Sequence, residues 1–434
     1  MIANSAMSSA DKRAGVVITG VGLVTPLGSS IASFHAALRG GQSALAPSSE
    51  LSKWLPEGSD PLVTMARVGD FGASQAIDAG RRRRMPRLGQ FAIVAAQQAL
   101  GWSSAGAPAL AHYGRERVGV VLGTGLGSLE TTLEFDLQYL EGGLGAASPA
   151  LFPYTVMNAS SALVAMELGL LGPNLTVNHR DLSLTEAVAS ACDLLACRRA
   201  DAVLAGGCDE LGAWLLHAYA RLGVLPKSGE MLPYDRDRQG FCPGEGAVVL
   251  LLERADAAAA RGATVLAQVA GVGRGGDHRP RLGWRRPGEA PEVSGASASV
   301  AGSLAAAGIG PEEVDFIAGS GNGTDLDRVE SMALRQALGA AAEHVPIASV
   351  LGQTGEWLTS SGVRLATAIY ALSEQALPGT HCRHPDPEAT LPGLCRTAQP
   401  AARPIRNVLV PTFAQGGGNV SLLLSHPSHP SVSP

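Results

Sequence analysis

The chain is poor in aromatic residues and in charge: Phe, Trp and Tyr make up 4% of its 434 residues, and Asp, Glu, Lys and Arg 16%. Its core must therefore be built mainly from Ala, Val and Leu, and the charge content is too low for a disordered polyelectrolyte. No apolar run reaches the roughly 18 residues of a membrane span. Met1 to Ala14 lacks the apolar centre of a signal peptide and reads as a loose tail. The six cysteines, Cys192, Cys197, Cys208, Cys242, Cys382 and Cys395, show neither CxxC nor zinc-type spacing. That excludes a disulfide scaffold or zinc framework and fits reduced thiols in the cytoplasm. A formal net charge of −5 and a pI near 6.1 argue against general nucleic-acid binding. There is no Walker lysine motif, and Gly123-Thr124-Gly125-Leu126-Gly127 lacks the GxGxxG spacing, so it reads as tight turns between packed elements. His278 and the C-terminal histidines lack partners at metal spacing, and neither a metal nor a cofactor is expected.

What the chain does have is 46% hydrophobic residues, 54 glycines and a steady alternation of short apolar strands with helical patterns, which predicts a layered α/β fold. Strands are expected at Val16–Gly20 (ending in a glycine turn), Val118–Leu122, Leu175–Asn178, Ala202–Ala205, Val248–Leu252 and Val265–Val269. Helices are expected at Gln90–Leu100 and Ala255–Arg261, the latter stopped by Gly262. The second half repeats the logic, with helices at Val300–Ala307, Asp327–Leu338 and Arg364–Gln375 and strands at Val314–Ala318, Val408–Val410 and Val420–Leu424. Two similar halves, 15–265 and 266–424, are expected between flexible tails at 1–14 and 425–434.

One corner concentrates the chemical interest. The strand Leu175–Asn178 runs into Ser183-Leu184-Thr185-Glu186, a capping-box pattern in which Ser183 accepts from the third backbone N–H and Glu186 reaches back. A helix follows through Ala196. A helix N-terminus favours an anion and lowers the pKa of a thiol placed there; this corner holds Asp181. Cys192 lies well inside the helix and reads as a buried thiol. The run Arg81-Arg82-Arg83-Arg84 reads as a solvated turn, with docking of an acidic protein as its functional alternative.

These segments resemble the β-ketoacyl-acyl-carrier-protein synthases of the thiolase fold. The resemblance is carried by Val17 to Gly28, Leu170-Leu171-Gly172-Pro173, Ala200 to Gly207, Tyr234 to Ala247 and the glycine-rich Phe413 to Asn419, in order from about residue 15 to 424. It implies a duplicated five-layer αβαβα fold with mixed central sheets. It also implies a mechanism in which a cysteine takes an acyl group from a carrier, histidines drive decarboxylation of a malonyl unit, and a lysine orients the site.

Against that pattern the chain departs at every reacting position. Asp181 stands where the cysteine is expected and Ser320 where the first histidine is. In Leu351-Gly352-Gln353-Thr354-Gly355-Glu356, Leu351 replaces the lysine and Glu356 the second histidine; Gln415 replaces the gatekeeping phenylalanine. A carboxylate is a poor nucleophile toward thioesters, Leu351 carries no charge, and a negative Glu356 would destabilise an enolate. The resemblance therefore implies a noncatalytic subunit like a chain-length factor, which pairs as a heterodimer with an active ketosynthase, meets an acyl carrier protein, and shapes the acyl tunnel in polyketide, aryl polyene or fatty acid synthesis. Leu126, Leu129, Leu133 and Phe135 are the expected tunnel or dimer-interface residues, and Arg81, Arg82, Arg83 and Arg84 the expected carrier-docking residues. Two alternatives stay open: a divergent acyltransferase, 3-oxoacyl synthase or hydrolase using Asp181 and Glu356, and a homodimeric acyl-binding scaffold.

Overall fold

A computed structural model of the protein describes residues 15–49, 62–104, 106–278 and 291–428. The expected tail 1–14 and most of the expected tail 425–434 lie outside them. Among the described residues a ten-stranded sheet draws five strands from the first half: β1 (Val16–Val24), β2 (Val118–Gly123), β3 (Asn174–Val177), β4 (Ala202–Asp209) and β5 (Gly246–Arg254). Five more come from the second: β6 (Ala267–Gly276), β7 (Phe316–Ala318), β8 (Ile347–Ala348), β9 (Asn407–Phe413) and β10 (Gly418–Ser425). The first set lies in the order β3-β2-β4-β5-β1 and the second in the order β8-β7-β9-β10-β6. Polarity repeats too: β2 is parallel to β3 and β4, as β7 is to β8 and β9, while the remaining neighbours are antiparallel. The halves join where β1 pairs with β6 along Val16–Ile18.

Helices complete the layers. These are α1 (Arg87–Leu100), α2 (Leu129–Gly142), α3 (Ala159–Leu168), α4 (Ser183–Ala196), α5 (Ala213–Leu222), α6 (Ser294–Ala307), α7 (Leu326–Leu338) and α8 (Ser361–Glu374). α1 and α3 cover the outer face of the first strand set, and α6 that of the second, with α7 packed on α6. α4 lies on β2 and β4 and reaches β10; α8 lies on β7 and β9 and reaches β5; the two helices touch. This is the duplicated five-layer αβαβα, thiolase-like fold with mixed sheets. Strands covered on both faces read as continuous apolar runs rather than alternating ones, and β2, β4 and nearly all of β5 are buried. No helix of the described residues is long and apolar enough to cross a membrane.

The glycine turn expected at Gly20 does not occur; β1 continues to Val24, with a register shift between Ile18 and Gly20. A Cβ at Gly20 would lie 1.9 Å from the Ala99 carbonyl oxygen, and one at Gly22 1.8 Å from that of Ala95. Glycine here admits a helix backbone pressed against the strand. Ser425, expected in the tail, ends β10 and donates from its Oγ to Asn407 Oδ1 at 2.7 Å. β6 starts at Ala267 rather than Val265 and runs seven residues beyond Val269 to Gly276, because its continuation pairs with β10 as far as Gly276.

Gly22→Ala should lower stability by about 1–3 kcal/mol through overpacking of α1 on β1, read as a drop in the urea midpoint; an unchanged midpoint would show that α1 can move aside at no cost.

Candidate active site

The parallel strands of both halves point their C-terminal ends at one cavity, the usual place for a ligand in an open α/β sheet. Asp181 follows β3, Ser320 follows β7, Leu351 follows β8 and Gln415 follows β9. All four line a cavity of about 520 Å³ together with Glu356, Trp357, Arg180, Arg236, Arg238 and Arg364. The five departures found in the sequence therefore meet in space.

The turn that carries Asp181 is built differently from the expected capping box. α4 starts at Ser183 with Leu182 in the cap position and no side-chain cap. The Ser183 hydroxyl accepts from the His179 N–H at 2.9 Å and faces the carbonyls of Thr124 and Arg180 at 3.1 and 2.7 Å. Glu186 pairs with Arg274 at 3.0 Å on the surface instead of reaching back. Capping loses because Ser183 is already inside the first turn and its Oγ ties the turn to the loop after β2. That loop is pinned further: Asn178 Nδ2 donates to the carbonyls of Thr124 and Gly125 at 2.9 Å each, and Asp209 accepts from Gly125 N–H at 2.8 Å and Thr124 Oγ1 at 3.1 Å. Arg180 takes a φ of 51°, a conformation costly for a residue with a Cβ and held here by its surroundings. Cys192 sits half-buried on α4, where burial pushes its thiol up to about 12.

Burial sets the charge state of the cavity. It raises the Asp181 carboxyl above its usual range, against the opposing pull of Arg180, of the Asp181 and Gln415 backbone N–H groups, and of Arg364. Glu356 is pushed up to about 8 by burial, opposed by Arg364 and reinforced by Asp181, so it is mainly protonated at neutral pH. One Glu356 oxygen, Oε1, accepts from the Ser360 hydroxyl at 3.1 Å; Oε2 has no partner among the described residues. The negative Glu356 expected beside an enolate is thus replaced by a neutral acid.

Sequence reading missed Arg364. It is 4% exposed on α8, donates to the Pro411 carbonyl and, at 3.1 Å, to Thr412 Oγ1, and its Nε is unpartnered among the described residues. A single cation inside the apolar run Val363 to Leu372 is the signal that marks it. Also missed was the carboxyl pair beneath Ser320. Glu330 accepts from Ser320 N–H at 2.7 Å and from the Tyr234 hydroxyl at 2.7 Å. Asp327, pushed up to about 7 by burial, accepts from the N–H groups of Tyr234 and Asn322 at 2.7 Å each. Gly321 is required there, since a Cβ would lie 2.3 Å from the Tyr234 ring. The loop is held firmly although Ser320 offers no imidazole.

The other expected residues are placed more loosely. Leu126, Leu129, Leu133 and Phe135 are all half-buried. Leu126 precedes α2, and with Leu129 it borders a second, enclosed cavity of about 10 Å³. Leu133 and Phe135 border neither cavity; the Phe135 ring centre lies 5.8 Å from that of Phe152. Arg81 to Arg84 stand away from the cavity, where Arg81 pairs with Glu167 at 3.0 Å and Arg82 is half-buried rather than fully solvated. Asp235, Asp237 and His384 form a cluster with metal-ligand types, but both Asp235 oxygens are already taken by the backbone N–H groups of Asp237, Arg383 and His384.

A β-ketoacyl synthase N-terminal domain matches residues 13–258, and a β-ketoacyl synthase C-terminal domain residues 268–382. The chain belongs to the β-ketoacyl synthase family. Its similarity to the 3-oxoacyl-[acyl-carrier-protein] synthase 2 of Synechocystis sp. is 30% identity over 94% of this chain and 97% of that protein. Nodulation protein E of Rhizobium sp. is also 30% identical, over 94% of this chain and 98% of its own length. Among solved structures, the ishigamide ketosynthase/chain length factor superposes with a TM-score of 0.83 at 27% identity, covering 95% of this chain and 99% of that one. A ketosynthase in complex with its chain length factor from Xenorhabdus doucetiae matches with a TM-score of 0.78 at 25% identity, over 97% of this chain and 100% of that one.

The protonated state of Glu356 in this synthase-like cavity has a measurable consequence. The folded protein binds that proton more tightly than the unfolded chain, so the contribution to stability is complete below the unfolded value of 4.5 and is lost as pH rises through about 8. Between about pH 5 and pH 8.5 the urea midpoint of the wild type should fall relative to that of Glu356→Gln; parallel curves would refute a raised Glu356.

Proposed function

We propose that this chain is a noncatalytic β-ketoacyl synthase-like subunit that pairs with a cysteine-bearing ketosynthase and helps shape the tunnel for a carrier-borne acyl chain. The observation that carries this reading is the cavity itself. Its loops are held by an internal network of hydrogen bonds, while every position to which the resemblance assigns a reacting group is occupied by a group unsuited to condensation. Asp181 offers a hydrogen-bonded carboxyl instead of a thiolate, Leu351 offers no cation, Ser320 no imidazole, and Glu356 a neutral acid.

The surface supports a partner. β3 is an edge strand of four residues with no strand on its outer side among the described residues, whereas the other edge, β8, is bridged by Leu394. Exposed apolar side chains lie on β3 itself (Leu175) and on α3, which packs against it (Met166), and a second group lies on α2 and the turn packed on it (Leu137, Tyr139, Leu140 and Phe152). An open edge flanked by apolar side chains invites a second chain. The structural relatives described as a ketosynthase with its chain length factor support assigning that place to a synthase. For the acyl carrier protein, the arginines beside the cavity, Arg180 and Arg236, are better placed than Arg81, Arg82, Arg83 and Arg84.

A second reading has its own observation. Asp181 and Glu356 share the cavity, and one raised carboxyl beside another is the arrangement of an acid–base pair. Hydrolysis or transfer of an acyl thioester by the lone chain, abolished in Asp181→Asn, would favour it. A stable homodimer that ignores the synthase would favour an acyl-binding scaffold.

The chain and a cysteine-bearing ketosynthase from the same source should co-elute as a one-to-one complex, and Leu175→Glu should weaken that complex at least about tenfold through a buried, unpaired charge at the edge strand. Failure to co-elute, or condensation by the chain alone, overturns the proposal. Asp181→Cys by itself should leave condensation undetectable, because Ser320, Leu351 and Glu356 remain; a measurable turnover would show that the nucleophile alone had been lost.

A further inference from the structure

The buried cation of the large cavity has no counter-charge in contact with it. Arg364 is 4% exposed, and among the described residues its guanidinium donates to the Pro411 carbonyl and to Thr412 Oγ1, both neutral, while its Nε has no partner. Arg238, which lines the same cavity, is by contrast paired with Asp386 at 2.6 Å. The acids that act on Arg364 through space are Glu356, Glu330 and Asp181, and burial pushes each of them toward its neutral form. The two oxygens of Glu330 are moreover already taken, by the Ser320 N–H and the Tyr234 hydroxyl at 2.7 Å each.

A buried charge is normally paired and hydrogen-bonded, because desolvation without a partner is costly. An unpaired guanidinium in the wall of a cavity is therefore half of an ion pair. Its place is set by the fold: Thr412, which holds one arm of the guanidinium, lines the cavity together with Arg364 itself, so α8 delivers the charge to the wall and β9 fixes it there. A carboxylate suits this planar fork better than a spherical anion does, since it can accept two parallel N–H bonds. The wall also includes Leu326, Leu351, Leu358 and Phe413, a lining suited to an aliphatic body. The resemblance puts a lysine at position 351; here that position is apolar and the cation stands on α8 instead.

We propose that Arg364 anchors a carboxylate-binding subsite in this cavity, and that its ligand is an aliphatic acid, either free or as the far end of a chain tethered through a thioester. The proposal rests on the reading of the cavity as a noncatalytic space for an acyl chain. It makes a free carboxylate, rather than a reacting thioester, the group that this protein selects.

The test titrates the purified full chain by calorimetry with octanoate and with octanamide, its neutral counterpart of the same shape. Octanoate should bind at least about tenfold more tightly, the effect of one charge-assisted contact. Arg364→Met, which keeps an unbranched side chain and removes the charge, should bring the ratio to about one. Two further probes separate the sources: the pantetheine thioester of octanoate has no free carboxylate, and the monothioester of octanedioate has one. Tighter binding of the octanedioate monothioester assigns the carboxylate to a tethered chain end; a preference confined to free octanoate assigns it to a free acid. Equal binding of octanoate and octanamide, binding of neither, displacement of octanoate by an equal concentration of chloride, or an undiminished preference in a folded Arg364→Met overturns the proposal. The wild-type comparison decides by itself where that variant does not fold. Co-elution with the ketosynthase is measured on the same samples. A wild type that pairs but shows no carboxylate preference refutes the subsite and leaves the subunit reading standing; a wild type that shows the preference but does not pair does the reverse.

Discussion

Two helices packed between the two five-strand sets of the sheet impose the constraint from which the remaining features follow. α8 is buried along nearly all its length and α4 on the face opposite Glu186, Ser190 and Asp193, so the residues there are mainly small or apolar, and the backbones around them come close enough that glycine is required at particular points. A Cβ at Gly123 would lie 2.4 Å from the Ser183 carbonyl carbon, and one at Gly362 2.7 Å from Leu184 Cδ1. The same layer brings the C-terminal ends of six parallel strands to a common point. A site at that point is fixed by the fold itself, whichever residues occupy it.

Desolvation by this layer then governs the chemistry. Arg364 enters the core as the sole cation of its helix, and burial lowers its pKa while Glu356, Glu330 and Asp181 oppose that shift. Carboxyls in the neighbourhood respond the other way: Asp209 is pushed up to about 6 and Glu210 to about 7. A region rich in acids is therefore far less negative at neutral pH than its composition suggests. In such surroundings Asp181 is a carboxyl raised by burial against the pull of Arg180, of two backbone N–H groups and of Arg364.

Much of this was legible in the sequence. The apolar runs at Val118, Ala202 and Val248 mark strands because strands covered on both faces have no polar alternation to hide them. The positions Asp181, Ser320, Leu351, Glu356 and Gln415 could be found through the glycine and proline framework around them, and they do share one cavity. What the sequence could not show depends on distance. Gly20 reads as a turn until α1 is seen pressed against it. Ser183 reads as a cap until its hydroxyl is seen tied to the loop after β2. The protonation of Glu356 and the isolation of Arg364 are properties of burial, which a local pattern does not carry. Leu133 and Phe135 share a helical spacing with Leu129, yet spacing alone does not say which residues of a half-buried helix meet a cavity.

The open edge at β3 carries a consequence for how the protein is made. An edge strand of four residues, paired among the described residues with β2 on one side only and carrying the exposed Leu175, is a surface that is safest when covered. A cell that synthesised this chain in excess of whatever covers it would accumulate a template for unwanted strand pairing, and the surplus would fall to chaperones and proteases. The short length of β3 limits how much harm an uncovered copy can do.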